Sequence, residues 1–319
     1  MTLKVCLVTP APPGSRKGNR VTALRWAGIL RALGNRVVVR EEYRDERCDL
    51  LIALHALRSF PSMARYRTAR PDAPLVLALT GTDLYGSIHT HADARKALDL
   101  ATRLILLQPL GLAELPEAVR AKARVIYQSV PAPRVTVAPR ADQFEVCVMG
   151  HLRPVKDPFR TALATRLLPP ESRLRVLHLG GALSDDMAAQ ARAEAADNPR
   201  YRWLGDVPRW KALRILSRCR LLALTSVLEG GANVVSEALA ASVPVLSSRV
   251  AGSVGLLGET YPGYFPVGDT AALAHLLTRA ECDAGFYRAL HDWCTNLRPL
   301  VDPAREQHGW AALLHELGW

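Results

Sequence analysis

Short apolar runs of strand length alternate along this chain with longer segments of helical pattern. Such alternation predicts parallel β-sheets with helices on both faces. The runs form two series, and a stretch with few large apolar residues but with Pro131, Pro133 and Pro139 separates them. The predicted strands are 3–8, 36–39, 50–54, 75–79 and 104 to 107 or 108 in the first series, and 145–149, 174–179, 202–204, 221–224 and 243–246 in the second. The predicted helices are 23–33, 157–168, 185–197, 208–217 and 233–242.

The length of 319 residues predicts two domains, because one hydrophobic core typically serves about 100–200 residues. We expect two Rossmann-like, doubly wound α/β domains that face a central cleft. The predicted first domain covers residues 1–140 and the second covers residues 141–295. Residues 286–319 have a helical pattern that is broken near Pro299 and Pro303, and the segment 296–319 can cross back onto the first domain.

Composition indicates an ordinary globular protein, with 49% hydrophobic and 22% charged residues. No apolar run reaches the ~20 residues of a membrane span, and the first run is too short for a signal peptide. We therefore expect a cytoplasmic protein without stable membrane association. The six cysteines are scattered, with no C-x-x-C pair, and are expected to be free thiols.

The formal net charge of +11 favours an anionic partner, either nucleic acid, an acidic membrane surface or a phosphorylated small molecule. Only six of the 41 basic residues are lysines, a bias that can reflect codon usage and lowers the weight of this charge. The chain has no zinc module, recognition helix or basic stripe interleaved with aromatic residues. We therefore expect no nucleic-acid partner.

The loop after the first predicted strand is rich in small and basic residues and leads into a helix. Helix N-termini bind phosphate through backbone N–H groups, and Arg20 adds a cation. The spacing matches neither a dinucleotide fingerprint nor a P-loop. A solvated basic loop is the structural alternative.

Polar residues also follow the third and fourth predicted strands, at His55, Arg58 and Thr82. His55 can carry a proton or donate to an anion, because its ordinary pKa lies near neutrality. A lone histidine is more often structural. The arginines that follow Arg58 on the predicted helix can face an acidic membrane or simply solvent.

In the second series, Arg153 and Lys156 follow a strand and stand three residues apart. Such a pair can neutralise a diphosphate leaving group. The sequence has no Asp-x-Asp element, the usual manganese-binding feature of metal-dependent sugar transfer. We therefore expect neither a metal nor a cofactor.

The most informative segment joins a predicted buried strand to a helix through Glu229, Gly230 and Gly231, and Glu237 lies about one turn inside that helix. The glycines permit close backbone approach, and the helix N-terminus favours phosphate. The two carboxylates can accept hydrogen bonds from hydroxyl groups, Glu229 from a sugar and Glu237 from a ribose.

Glu229-x7-Glu237 with its internal Gly-Gly, preceded by Arg153 and Lys156, resembles the donor site of the GT-B glycosyltransferases. The resemblance implies a GT-B architecture in which the second domain binds a UDP-sugar. The resemblance implies that Arg153, Lys156, Gly230 and Gly231 contact the diphosphate and that Glu229 and Glu237 contact the sugar and the ribose. The catalytic residues that we expect are Arg153, Lys156 and Glu229, together with His55 from our own interpretation of the residues. The UDP-sugar ligands that we expect are Gly18, Arg153, Lys156, Val207, Glu229, Gly230, Gly231, Ala232, Asn233, Val234 and Glu237.

Five further stretches, 18–26, 55–59, 79–85, 151–158 and 261–269, are similar to the selenosugar synthases of selenoneine biosynthesis. That resemblance implies attack of selenophosphate on C1 of UDP-N-acetylglucosamine or UDP-glucose, with later hydrolysis of the Se–P bond. Our own hypothesis for the selenophosphate pocket comprises Asn19, Arg20, Thr22, His55, Arg58 and Thr82. Transfer to a hydroxyl group of a small or membrane-surface acceptor is the alternative, and the sugar, the anomeric configuration and the oligomeric state stay open.

Overall fold

The computed structural model describes residues 2–133 and 137–319. Their contacts divide the chain into two compact units. The first unit is Met1–Ser129 with Glu229–Gly231 and Pro303–Trp319, and the second is Val130–Leu228 with Ala232–Asp302. The limits at residues 140 and 295, drawn from the sequence, stay predictions beside this division.

Strands and helices alternate along the described chain. In residues 2–133 they are β1 Lys4–Val8, α1 Gly18–Ala32, β2 Arg36–Arg40, β3 Leu50–Leu54, α2 Phe60–Ala69, β4 Leu75–Ala78, α3 Ile88–Thr90, α4 Ala92–Leu100, β5 Arg103–Leu106, α5 Glu117–Arg120 and β6 Ala123–Val125. In residues 137–319 they are β7 Phe144–Met149, α6 Arg160–Thr165, β8 Leu174–Leu179, α7 Asp185–Asp197, β9 Tyr201–Trp203, α8 Arg209–Leu216, β10 Leu221–Leu224, α9 Asn233–Ala240, β11 Val245–Ser248, α10 Ala251–Leu257, β12 Tyr264–Phe265, α11 Thr270–Cys282, α12 Ala284–Asn296 and α13 Pro303–Glu316.

The first unit contains a parallel sheet of six strands in the order β2-β1-β3-β4-β5-β6. Successive side chains along each strand point to opposite sides, and they belong to two buried clusters. Both faces of the sheet are therefore covered. On one face, Val5 and Leu7 belong to the cluster that contains Trp26 of α1 and Trp310 of α13. The two indole rings meet edge to face with centroids 4.9 Å apart, so α13 packs beside α1 in this unit.

The second unit contains another parallel sheet of six strands, in the order β12-β11-β10-β7-β8-β9. The central strands β10, β7 and β8 are neighbours, so the loops that follow them lie side by side at the carboxyl edge. The predicted α/β fold class with two parallel sheets is therefore confirmed.

Several predicted element bounds need correction. Helix α1 begins at Gly18 rather than at residue 23, because the polar residues before Ala23 already have helical hydrogen bonds and the Lys17 carbonyl accepts from the amides of Arg20 and Val21. Helix α6 begins at Arg160 rather than at residue 157, since Asp157 adopts a left-handed conformation with φ 43°. Strand β11 extends to Ser248 through two buried serines, and the two-residue strand β12 was not predicted.

All six cysteines are free thiols, and only Cys282 is exposed. Within the described ranges, no helix is long and apolar enough to cross a membrane. The same residues contain no group of three or more His, Cys, Asp or Glu side chains arranged to hold a metal ion.

Candidate functional site

The turn that carries Arg153 and Lys156 is tied to the neighbouring loop after β10. The Thr225 hydroxyl donates to the carbonyl oxygens of Lys156 and Asp157 at 3.0 and 2.9 Å, and the Val227 amide donates to the Val155 carbonyl at 2.9 Å. These contacts order the backbone from which Arg153 and Lys156 project. The structure therefore joins two loops that the sequence identified separately.

A buried histidine, His178, supports the start of the same turn. One imidazole nitrogen, Nε2, lies 3.3 Å from the Gly150 carbonyl oxygen, and Nδ1 lies 2.9 Å from the Tyr201 hydroxyl. A neutral ring satisfies both contacts when Nε2–H donates to the carbonyl and the Tyr201 hydroxyl donates to Nδ1. Burial lowers the His178 pKa to about 4, so the ring is neutral at physiological pH.

The backbone between the loops after β7 and β8 is closely packed. The Leu152 amide donates to the Gly181 carbonyl at 2.9 Å, and Gly180 has φ 153°. A Cβ atom at Gly180 would lie 1.9 Å from the Gly150 carbonyl oxygen. This glycine is therefore required for the close approach that holds the Arg153 turn beside β8.

Helix α9 presents its N-terminus at the carboxyl end of β10. Its N-cap residue, Ala232, forms no side-chain capping hydrogen bond. A helix N-terminus favours an anion through its backbone amides and its dipole, and Asn233 and Val234 are the first two residues of this helix. Val234 is half-buried, as is Val207, which lies in the loop before α8. These residues belong to the UDP-sugar ligands expected from the sequence, and that assignment stays a prediction.

The second carboxylate of the motif, Glu237, lies inside α9 and is 5% exposed. Its Oε1 accepts a hydrogen bond of 2.8 Å from Nη2 of Arg209, the first residue of α8. Arg209 was not among the site residues proposed from the sequence. The two residues are 28 positions apart, and they meet because α8 packs on β7 and α9 packs on the adjacent strand β10.

The segment Glu229–Gly231 belongs by its contacts to the first unit. Glu229 is 9% exposed. A Cβ atom at Gly230 would lie 2.7 Å from the Gly81 Cα atom, and one at Gly231 would lie 2.6 Å from the Leu107 Cβ atom. The close approach that these glycines permit is thus made by protein atoms, independently of any ligand.

In the first unit, three residues of the predicted acceptor pocket are joined by hydrogen bonds. The Arg58 amide donates to Nδ1 of His55 at 3.3 Å, so Nε2 of His55 carries the proton and donates to the Thr82 hydroxyl at 3.1 Å. His55 is 4% exposed and has φ 78°, and burial is the main cause that lowers its pKa. The Arg58 side chain itself is exposed.

Asp83 ties the loops after β3 and β4 to each other. Its Oδ2 accepts from the Ala56 amide at 2.9 Å, and its Oδ1 accepts from the amides of Thr80 and Gly81 at 2.9 Å each. Asp83 is fully buried, so these three donors replace the water that the carboxylate lost. The sequence contained Asp83 next to Thr82, but the residue was not assigned a role.

The remaining pocket candidates lie at the start of α1, after the adjacent strand β1. Gly18, Asn19 and Arg20 form its first turn, and the Thr22 hydroxyl accepts from Nε2 of Gln128 at 3.3 Å. Nε and Nη1 of Arg20 are buried, and within the described residues they have no hydrogen-bond partner.

Two residues beside this helix start were missed in the sequence. The hydroxyl groups of Thr9 and Ser15 are also buried and lack a partner among the described residues. Thr9 directly follows β1, a position at which open α/β sheets bind ligands, and this signal could have identified it. Buried donors without partners are rare in folded proteins and call for a ligand, an ion or water.

The fold and these loops define a class, the doubly wound α/β proteins that bind ligands outside the carboxyl ends of their strands. Residues 133–292, half of the chain, match the family model of the glycosyl transferases group 1. The chain therefore belongs to the group 1 glycosyltransferases.

Two solved structures are similar to this chain in fold. HepE of Anabaena in complex with UDP is similar with a TM-score of 0.79 and 17% identity, over 99% of this chain and 100% of that chain. Sucrose-phosphate synthase of Thermosynechococcus elongatus is similar with a TM-score of 0.79 and 15% identity, over 99% of each chain. No curated protein is significantly similar to the chain in sequence.

Proposed function

We propose that this glycosyltransferase is a selenosugar synthase. In the proposed reaction, the selenium of selenophosphate attacks C1 of UDP-N-acetylglucosamine or UDP-glucose. The new C–Se bond replaces the C1–O bond, and UDP leaves with the bonding electron pair. Water then cleaves the Se–P bond, which gives a 1-selenosugar and phosphate.

The donor half of the proposal is supported by the second unit. The hydrogen bonds from Thr225 and Val227 hold the backbone of Arg153 and Lys156 in place, and helix α9, which begins at Asn233, has no side-chain cap from Ala232. Cations fixed in advance stabilise charge as it develops on a leaving diphosphate, because no reorganisation is needed during the reaction. Glu229 and Glu237 would accept hydrogen bonds from the hydroxyl groups of the sugar and the ribose.

The acceptor half is supported by one observation above all. Nitrogen atoms of Arg20, in the first turn of a 15-residue helix, are buried and lack hydrogen-bond partners within the described residues. The same holds for the hydroxyl groups of Thr9, which follows β1, and of Ser15, in the loop before that helix. A tetrahedral oxyanion would supply acceptors for all of these donors. The loop after β3 adds His55, whose Nε2–H donates to the Thr82 hydroxyl, and that hydroxyl would in turn donate to the anion.

The nature of the nucleophile fits a site without a strong base. A selenium atom that is already anionic requires no proton removal before it attacks, whereas a sugar hydroxyl group does. His55 is a weak base here, because its pKa is lowered by burial and its Nδ1 already accepts from the Arg58 amide. In this proposal His55 orients the acceptor anion.

The test is to incubate the protein with selenophosphate and UDP-N-acetylglucosamine or UDP-glucose, with and without EDTA, and to identify products by mass spectrometry. We expect a selenium-bearing hexose, UDP and phosphate in both conditions. Turnover with hydroxyl acceptors alone would refute the selenium reaction and support the alternative, sugar transfer to a small or membrane-surface hydroxyl. Loss of turnover with EDTA would refute the metal-independent role of Arg153 and Lys156.

The acceptor pocket has its own test. Arg20→Ala should raise the KM for selenophosphate roughly tenfold or more, since a hydrogen bond to a charged group is worth about 1.5–3 kcal/mol. Arg16→Ala, which removes an exposed cation from the same loop, is the matched control. An unchanged selenophosphate KM in Arg20→Ala would contradict the proposed pocket.

A further inference from the structure

The ion pair between Arg209 and Glu237 lies within the second unit and joins two elements of the proposed donor site. Arg209 begins α8, two residues after Val207, and Glu237 lies in the second turn of α9. The bond from Nη2 of Arg209 to Oε1 of Glu237 is 2.8 Å long. The Arg209 side chain is 42% exposed, whereas that of Glu237 is 5% exposed.

This asymmetry distinguishes the pair from an ordinary surface salt bridge. A carboxylate that is almost completely buried loses its hydration and needs a fixed donor or a counter-charge in its place. The guanidinium of Arg209 supplies both. A carboxylate has about four lone-pair sites, so it can accept from Arg209 and from further donors at the same time.

We propose that Arg209 is a positioning residue that fixes the Glu237 carboxylate to accept hydrogen bonds from the ribose hydroxyl groups of the nucleotide. Arg209 thereby determines selectivity for ribonucleotides over 2′-deoxyribonucleotides. This inference rests on the proposed donor site and adds a residue to it. Its ligand chemistry is a uridine diphosphate whose 2′-hydroxyl group donates to Glu237.

Calorimetric titration of UDP and of 2′-deoxy-UDP against the intact protein tests the inference without an acceptor substrate. The wild type should bind UDP roughly tenfold or more tightly than 2′-deoxy-UDP, because the latter leaves the charged acceptor without its partner. Arg209→Ala should weaken UDP several-fold and 2′-deoxy-UDP much less, so that the preference shrinks. Arg209→Lys should restore part of it, since lysine can donate to Oε1.

A double-mutant cycle separates this role from a direct contact of Arg209 with the nucleotide. If Arg209 acts through Glu237, Arg209→Ala adds little to the loss of UDP affinity in Glu237→Ala. Arg214→Ala removes an exposed cation from the same helix and is the matched control, with unchanged affinities. Unchanged far-ultraviolet circular dichroism and thermal midpoints would show that the variants are folded.

Each other outcome overturns a specific statement. An equal loss for both nucleotides, or additive effects in the cycle, would show that Arg209 contacts the base or the diphosphate and would refute the inference. Unchanged affinities in Arg209→Ala would reduce the ion pair to a structural contact. Failure of the wild type to bind UDP would refute the proposed donor site itself, and the inference with it.

Discussion

Glu306, in α13, accepts hydrogen bonds from three residues of the first unit, and its replacement should destabilise the protein strongly. Its side chain is completely buried and accepts from Nε of Arg25 at 2.9 and 3.2 Å and from Nε1 of Trp26 at 2.7 Å. The amide and the hydroxyl group of Ser129 also donate to it. One carboxylate thus connects α1 and α13 to Ser129.

Glu306→Ala removes the common acceptor of all these donors. Breaking a buried ion pair by removal of one partner costs about 3–5 kcal/mol, and each buried donor left without an acceptor adds about 1–3 kcal/mol unless water enters. Because water can enter and satisfy some of these donors, we expect the free energy of unfolding to fall by at least about 4 kcal/mol, which is a large fraction of the about 5–15 kcal/mol of a typical protein. Glu306→Gln keeps the shape but places an amide donor among donors, so about half of that loss is expected.

The measurement is urea unfolding combined with hydrogen exchange of peptides that cover α13 and residues 126–130. Exchange in these peptides should accelerate, because local opening then needs less free energy. Glu316→Ala is the matched control. Glu316 lies in the same helix as Glu306 and forms ion pairs with Arg103 and Arg124, but its side chain is 35% exposed. Exposed pairs contribute about 0–1 kcal/mol. Equal effects of Glu306→Ala and Glu316→Ala would refute the reasoning.

Three further predictions concern the supports of the site. The lowered pKa of His178 means that the unfolded state binds more protons, so stability should fall by up to about 3 kcal/mol as pH drops from about 6.5 to 4, and His178→Gln should flatten this dependence in urea unfolding. Gly230→Ala should destabilise by about 1–3 kcal/mol because its Cβ meets the Gly81 backbone, whereas Gly28→Ala, with open space around it, should not; equal thermal midpoints would contradict this. Lys156→Ala should lower kcat roughly a hundredfold in the UDP-sugar assay, and an unchanged kcat would remove it from leaving-group stabilisation.

Long-range packing explains most of what sequence reasoning missed at the site. Arg209 and Glu237 are 28 residues apart, and Arg25 and Glu306 are 281 apart, so neither pair forms a local pattern. The start of α1 was misplaced because the first residues of the helix, 18–22, are mostly polar or small. Such residues are typical both of a loop and of the exposed side of a helix. His178 lies among apolar residues in strand β8, so its role was not visible in the sequence. Its hydrogen-bond partners are Tyr201, the first residue of β9, and Gly150, which directly follows β7.

The sequence by itself determined the α/β class, the alternation of strands with helices, the loops that carry Arg153, Lys156 and Glu229, and the helix that carries Glu237. These features follow from strand length, apolar runs and glycine spacing, which are local properties of the chain. Only the tertiary structure decided which loops become neighbours, since strand order in a parallel sheet is set by crossover packing and not by sequence order. The same holds for buried polar partners. Burial removes water from a polar group, and a protein atom must then replace that water as its hydrogen-bond partner. Arg209 does this for Glu237, Glu306 does it for Trp26, and the Thr225 hydroxyl donates to the Lys156 carbonyl.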